Sequence, residues 1–335
     1  MKTALLFILM MLVLIAPHEF GHFIVAKLCN VKVNEFSVGM GPLLFKKKKG
    51  ETQYSLRLIP IGGFCAMEGE ENASDNPRAF NNKPPLQKIA ILLAGVTMNV
   101  IIAIIACTIA FQVSGVPVAT LDSVVKDSPA AVAGMQRGDK IIEVDGIKTP
   151  DWTSVTEAIS SYEGKGDMEI LVRRDGEERS FFIVPQYDEN RQGYTIGIVA
   201  GITRNPFICA KYGIVTTWEL NKQMLGAFKL LFTGGLHKDD VSGPVGLVKI
   251  VDQTASAGAT AYLILLALVS LNLALINLLP IPGLDGGKIF FVLLKVITRG
   301  RINDESEYKA TLVGMFILIC IFVFVTINDV TNLLK

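Results

Sequence analysis

Four long apolar stretches set the frame of this chain: about Ala4 to Val25, Ile89 to Val113, Tyr262 to Leu279, and about Thr311 to Ile327. Each is long enough, as a helix, to cross the roughly 30 Å hydrocarbon core of a bilayer. Between them the hydrophobic period changes. Val31 to Phe45 and Gln53 to Met67 are rich in Val, Phe, Leu and Ile and are punctuated by Gly39, Gly41, Gly62 and Gly63. That pattern predicts two strands forming a hairpin, apolar enough to dip into a membrane. Val118 to Val125 predicts another strand. Asp127 to Met135 predicts a short helix with Asp127 and Ser128 at its start and Gly134 near its end. A turn, a strand and a turn follow from Arg137 to Gly146, then a helix near Thr153 to Ser161. Two strands then flank a hairpin turn at Arg174-Asp175-Gly176. From Thr217 to Phe232, Leu220, Met224, Leu225, Phe228 and Leu231 recur at helical spacing among Glu219, Lys222 and Lys229. Two readings fit this helix, an amphipathic one on a membrane surface and a core helix of the inserted domain.

Composition narrows the class. Of the 335 residues 50% are hydrophobic and only 19% charged, and the mean hydropathy is +0.45. A soluble protein with ordinary surface coverage is more polar. The net charge of +1 gives no footprint for nucleic acid. Charge distribution is more telling. Ten Lys or Arg lie from Lys27 to Lys88, including the run Lys46 to Lys49, and Lys288, Lys295, Arg299, Arg301 and Lys309 lie between the third and fourth stretches. By the positive-inside rule both segments are cytoplasmic. The insert from Ser114 to about Ala261 is then extracytoplasmic, as are both termini. Lys2 followed by Ala4 to Ala16 also has the outline of a signal peptide, but no A-x-A site follows. Cys29, Cys65, Cys107, Cys209 and Cys320 are scattered, odd in number and without CxxC spacing, which indicates neither a disulfide framework nor a thiolate zinc site.

The chemistry lies inside the apolar stretches. His18-Glu19-Phe20-Gly21-His22 interrupts the first. On a helix His18 and His22 stand one turn apart on one face and can share a Zn²⁺, with Glu19 beside them as a base for a water. Ionisable groups in hydrocarbon are expensive, so three together mark a functional site. Zinc needs a third protein ligand. His237 is the only other histidine, but it falls in the segment read as extracytoplasmic. Asn277-Leu278-Leu279-Pro280-Ile281-Pro282-Gly283-Leu284-Asp285-Gly286-Gly287 is the better candidate. Its prolines and glycines break the third stretch near its cytoplasmic end, and broken backbone at membrane depth is tolerated around a buried polar site. Asp285 supplies a carboxylate at that break.

The series Ser128-Pro129-Ala130-Ala131, Gly134-Met135, Gly138-Asp139-Lys140-Ile141 and Val144-Asp145-Gly146 resembles a PDZ domain of the bacterial membrane-protease type. With HEFGH before it and NLLPIPGLDGG after it, the chain resembles the site-2 family of intramembrane zinc metalloproteases. The nearest group is the bacterial PDZ-bearing one used in regulated intramembrane proteolysis. Ser242-Gly243-Pro244-Val245-Gly246 extends the likeness. The resemblance implies that His18, His22 and Asp285 are zinc ligands and Glu19 the catalytic base. It puts Asn277 near the scissile carbonyl and Asn99 as a second polar residue in the core. It also implies substrates that are single-span membrane proteins, such as anti-sigma factors trimmed outside, and leftover signal peptides. Pro17 before His18, Val96 and Thr97 after Gly95 where a proline is usual, and Lys288 where His or Arg is common depart from the family pattern. Pro17 is expected to kink the first helix.

The expected architecture is a polytopic α-helical membrane protein with about four transmembrane helices, a membrane-associated β-hairpin and an inserted extracytoplasmic α+β PDZ domain. Its parts run 1–28, first helix; 29–85, hairpin loop; 86–113, second helix; 114–187, PDZ domain; 188–260, linker with amphipathic helix; 261–290, third helix with the LDG motif; and 291–335, loop and fourth helix. The expected seat is a bacterial plasma membrane, with the active site toward the cytoplasm. The rival reading is a non-catalytic membrane scaffold that captures peptides through its PDZ domain.

Overall fold

The computed structural model describes residues 2–70, 72–189, 192–233, 243–299 and 304–334. It divides into two compact units, Met1–Ala110 with Ala210–Lys335, and Phe111–Cys209. His237, Ser242 and Arg301 lie outside the described residues.

The first unit opens with α1 (Lys2–Leu28), helical through Pro17. Its buried residues, Met10, Leu14, His18, Gly21, His22 and Ala26, recur every three or four positions. They form one packed face, and the two histidines belong to it. Next come β1 (Val33–Lys49) and β2 (Thr52–Met67), which pair antiparallel. The sequence predicted a plain hairpin, and the structure is more folded. Val33 to Val38 pairs with Gly63 to Met67 on one side. On the other, Glu35, Phe36, Ser37 and Val38 pair with Gln53, Tyr54, Ser55 and Leu56, both chains advancing together. Phe45 to Lys49 then pairs outside Thr52 to Leu56. Both strands bend to do this. Gly39 and Gly41 have φ of 86° and 79°, a conformation that glycine adopts without a Cβ penalty. Arg57 holds the bend, donating to Glu35 (2.8 Å) and to the Gly41 carbonyl (2.9 Å). Phe23 of α1 seats against Phe36 and Tyr54 at ring-centroid distances of 5.3 and 5.9 Å. This fixes α1 on the sheet.

Helix α2 (Pro85–Ser114) buries Ala94, Gly95, Asn99, Ala103, Ala106 and Ala110. This stripe of small residues lets neighbouring helices approach closely.

The second unit contains β3 (Val116–Val124), α3 (Pro129–Val132), β4 (Lys140–Val144), β5 (Ile147–Lys148), α4 (Trp152–Ser160), β6 (Met168–Arg174), β7 (Glu177–Ile183), β8 (Gln186–Asp188), β9 (Gly193–Thr195) and β10 (Ile198–Thr203). The main sheet runs β10-β3-β4-β6-β7, with β5 on β4. Its core is Leu121, Ile141, Val144, Val155, Met168, Ile170, Val172, Ile183 and their neighbours. Asp175 and Gly176, both at positive φ, make the predicted tight turn between β6 and β7. Strand β10 lies beyond the boundary read at residue 187, in the stretch read as linker. A strand returning to pair with the first one of a module leaves no local signal of where it belongs.

The first unit resumes with α5 (Pro206–Thr233), α6 (Pro244–Ala257), α7 (Ala259–Leu278), α8 (Asp285–Ile297) and α9 (Asp304–Leu334). The buried carboxylate of Asp329 on α9 accepts from the Gly243 and Gly246 backbone N–H groups (3.0 and 2.8 Å). It caps α6 from a distant element, and a Cβ on Gly243 would lie 2.7 Å from its Oδ2. Four of the described helices are long and apolar enough to cross a membrane: α1, α2, α7 and the Glu307–Thr331 part of α9. The third stretch breaks where its prolines predict, between Leu278 and Asp285.

Candidate active site

Two elements meet at one point of the first unit. Helix α1 presents His18 and His22 from its packed face. The restart of the chain at α8 presents Asp285 in its first turn. This tight reversal depends on Gly286 and Gly287. A Cβ on either would run into the carbonyls of Leu278 and Leu279 or of Ile281.

The geometry is that of a metal site. His18 Nε2 and His22 Nε2 each lie 3.3 Å from Asp285 Oδ2, and the two nitrogens are 3.3 Å apart. A tetrahedral ion with bonds of about 2.0–2.1 Å separates its donors by roughly 3.3–3.4 Å. The triangle therefore has the edge that zinc requires, and two imidazoles and a carboxylate are donors that zinc accepts. Asp285 Oδ2 is buried without a hydrogen-bond donor among the described residues, as a coordinating oxygen would be. The ring of His22 is held from behind, its Nδ1 lying 2.8 Å from the Ile91 carbonyl. That contact sets the tautomer with Nε2 free for a metal.

Around the triangle is a cleft of about 290 Å³ lined by Ile15, Glu19, Gly62, Gly63, Asn277 and Leu284, among others. Asn277 Nδ2 is 3.4 Å from His18 Nε2. Thus His18, Glu19, Asn277 and Asp285, picked from segments far apart in the sequence, line one small volume, and His22 Nε2 joins them through its 3.3 Å approaches to His18 and Asp285. Asn99 is fully buried on α2 and is not among the cleft residues.

Three features escaped the sequence reading. Gly95 forms the floor: a Cβ there would collide with His22 Nε2 and lie 2.7 Å from His18 Cε1. Gly63 brings the sheet onto α1, and a Cβ on it would come within 3.3 Å of Glu19 Cγ. Lys288 donates to Glu70 at 2.7 Å, tying the first turn of α8 to the segment after β2. A lone glycine inside an apolar helix was the available signal for Gly95, because such a residue usually marks close approach.

Two histidines one turn apart, a third carboxylate donor and a glutamate beside them define the class of zinc-dependent hydrolase. The family model of peptidase family M50 matches residues 6–321, and the chain belongs to that family, the site-2 metalloproteases. A Clostridium acetobutylicum protein, named as a candidate zinc metalloprotease, is 37% identical over 95% of this chain and 94% of its own length. The regulator of sigma-W protease RasP of Bacillus subtilis is 28% identical, over 99% of both chains. Among solved structures, a PDZ domain of a Listeria monocytogenes SdrC-like protein is 26% identical over 26% of this chain and 86% of that domain, with a TM-score of 0.22.

Proposed function

We propose that this chain is an intramembrane zinc endopeptidase that hydrolyses peptide bonds within the membrane-spanning segments of single-span proteins. Anti-sigma-factor-like proteins and signal-peptide remnants are the substrate class. One observation carries the reading: a buried 3.3 Å donor triangle stands on helices of membrane length. Large apolar side chains left exposed on α9, including Phe316, Phe322 and Phe324, suit a lipid-facing helix.

His18, His22 and Asp285 would hold the metal, which when bound would supply an acidified water and a polarised scissile carbonyl. Glu19, the base, takes the proton of the attacking water and hands it to the leaving amine. The Asn277 amide donates to the carbonyl oxygen as charge builds on it. A helical substrate hides its carbonyls, so it must unwind first. The outer side of Gly63 to Met67 has no partner strand among the described pairings, and Gly62 and Gly63 open onto the cleft. A substrate strand added there presents its backbone to Glu19. The second unit, read as a PDZ domain outside the membrane, is assigned to substrate selection.

The test is zinc content set beside cleavage of a model membrane substrate. His18→Ala, His22→Ala and Asp285→Ala should each lose zinc and activity. Glu19→Gln should keep zinc and lose activity, because Glu19 is a base and not a ligand. Full zinc occupancy in Asp285→Ala would reject the third ligand, and an active Glu19→Gln would reject the base.

A further inference from the structure

We propose that Asn99 positions His18 for zinc through a buried water. The proposal rests on the reading of His18 as a ligand through Nε2. A histidine that binds metal through Nε2 carries its proton on Nδ1, and that N–H as a rule donates to a carboxylate, a carbonyl or a water. For His22 the acceptor is the Ile91 carbonyl. His18 Nδ1 is buried and has no partner among the described residues. Within the membrane-length helices, the described side chain in the same condition is Asn99. It is 0% exposed, and neither its Nδ2 nor its Oδ1 is partnered.

These orphaned atoms belong to neighbouring positions. A Cβ on Gly95 would lie 2.7 Å from His18 Cε1, the ring carbon bonded to Nδ1. Asn99 follows Gly95 by one helical turn on the same face, about 5–6 Å further on. The two helices run antiparallel, since His22 reaches Ile91 and His18 reaches Gly95. Later residues of α2 therefore stand beside earlier residues of α1. Side chains lean toward the N-terminus of their own helix, so the His18 ring tilts toward the level of Asn99. From a third side, Ser270 of α7 donates to the Asn99 carbonyl at 2.7 Å and fixes that turn of α2.

The two side chains make no direct hydrogen bond to each other, and a single water suits such a gap. Such a water accepts from His18 Nδ1–H and donates to Asn99 Oδ1, and polar partners of this kind are what hold a buried water in place. Leaving His18 Nδ1 and Asn99 Oδ1 both unpaired in hydrocarbon would be costly. The bridge holds the ring in the tautomer and orientation that turn Nε2 to the metal. Asn99 is thus a positioning residue, not a catalytic one.

The experiment measures zinc affinity of the full-length protein in lipid nanodiscs by chelator competition. The variants are Asn99→Leu, Asn99→Ser and His18→Ala. The ligand-field spectrum of the cobalt(II)-loaded forms is recorded in parallel. Asn99→Leu should bind zinc about 10- to 100-fold more weakly and show an altered cobalt spectrum. Asn99→Ser, whose hydroxyl still anchors a water, should stay near wild type in both. If Asn99→Leu does not fold, Asn99→Ala replaces it with the same expectation. Wild-type affinity in the apolar variant, with zinc lost in His18→Ala, would overturn the proposal and leave the metal site standing. Zinc retained by His18→Ala would overturn both.

Discussion

Gly95 shows how much of this site hangs on one missing methyl group. It belongs to neither the HEFGH nor the LDG motif, yet any side chain there enters the space of both imidazoles. Overpacking of this kind costs about 1–3 kcal/mol where neighbours can shift. Here the neighbours are rings already fixed, one of them by the Ile91 carbonyl. Gly95→Ala should therefore weaken zinc binding roughly tenfold or more, since each 1.4 kcal/mol is a factor of ten. Gly95→Val should bring zinc content close to zero in purified protein. Stoichiometric zinc in the Val variant would show that the floor is softer than this packing implies. The proposed ligands were brought together as the sequence suggested, because two histidines at i and i+4 in an apolar run are costly to bury unless something binds them. Gly95 was not legible, because its importance lies in what stands opposite, and one sequence does not print contacts.

At the scale of elements, regular periods were legible and pairings were not. The membrane-length helices and the turn at Asp175-Gly176 follow from local pattern. The fold-back of β1 and β2 does not, because glycine shows where a strand can bend and not where it lands. The same limit hid β10. Edge chemistry makes sense of the fold-back afterwards. The outermost segment carries Lys46 to Lys49, all exposed, and lysines on an edge discourage further pairing. The opposite edge, at Gly63 to Met67 beside the cleft, carries no such guard. Within the second unit, Gly138-Asp139-Lys140 read as a turn before a strand, but the structure shows Asp139 to be an anchor. Its side chain is fully buried, accepting from Arg174 at 2.6 and 2.8 Å and from the Gln136 backbone at 2.8 Å. Burial pushes the Asp139 carboxyl up, and the Arg174 hydrogen bonds and charge outweigh it and hold the group below the usual aspartate range. Its native value is thus depressed below the roughly 3.9 of an unfolded aspartate. The stability it contributes is whole above about pH 4 and is lost as pH falls through the native value. Asp139→Asn strands the Arg174 charge and should destabilise this unit by about 3–5 kcal/mol at neutral pH. Limited proteolysis of the full chain across pH checks both statements. Unchanged resistance of the variant within Phe111–Cys209 at pH 7 would refute the anchor.

For the whole molecule, charge sets the side of the membrane that each part is expected to face. The lysine-rich sheet follows the first membrane-length helix, and the second unit follows the next one. On the proposed four-span reading one crossing separates them, which would put them in opposite compartments whichever way the chain inserts. The positive-inside rule chooses the direction, because its weight lies in basic residues of short loops near helix ends. Lys27, Lys32 and Lys46 to Lys49 satisfy that condition after α1, and Lys288 and Lys295 satisfy it after α7. Helix counting requires the two loops to share a side, and their charges agree, so the assignment does not rest on one cluster. With the five native cysteines replaced by serine, a cysteine at Lys47 should be shielded in intact cells from a membrane-impermeant thiol reagent. It should react once the cells are opened. A cysteine at Asp175, in the exposed turn between β6 and β7, should react in intact cells. Reaction in intact cells at Lys47 with protection at Asp175 would invert the molecule. It would move the second unit to the cytoplasm and end its proposed role in selecting substrates from outside.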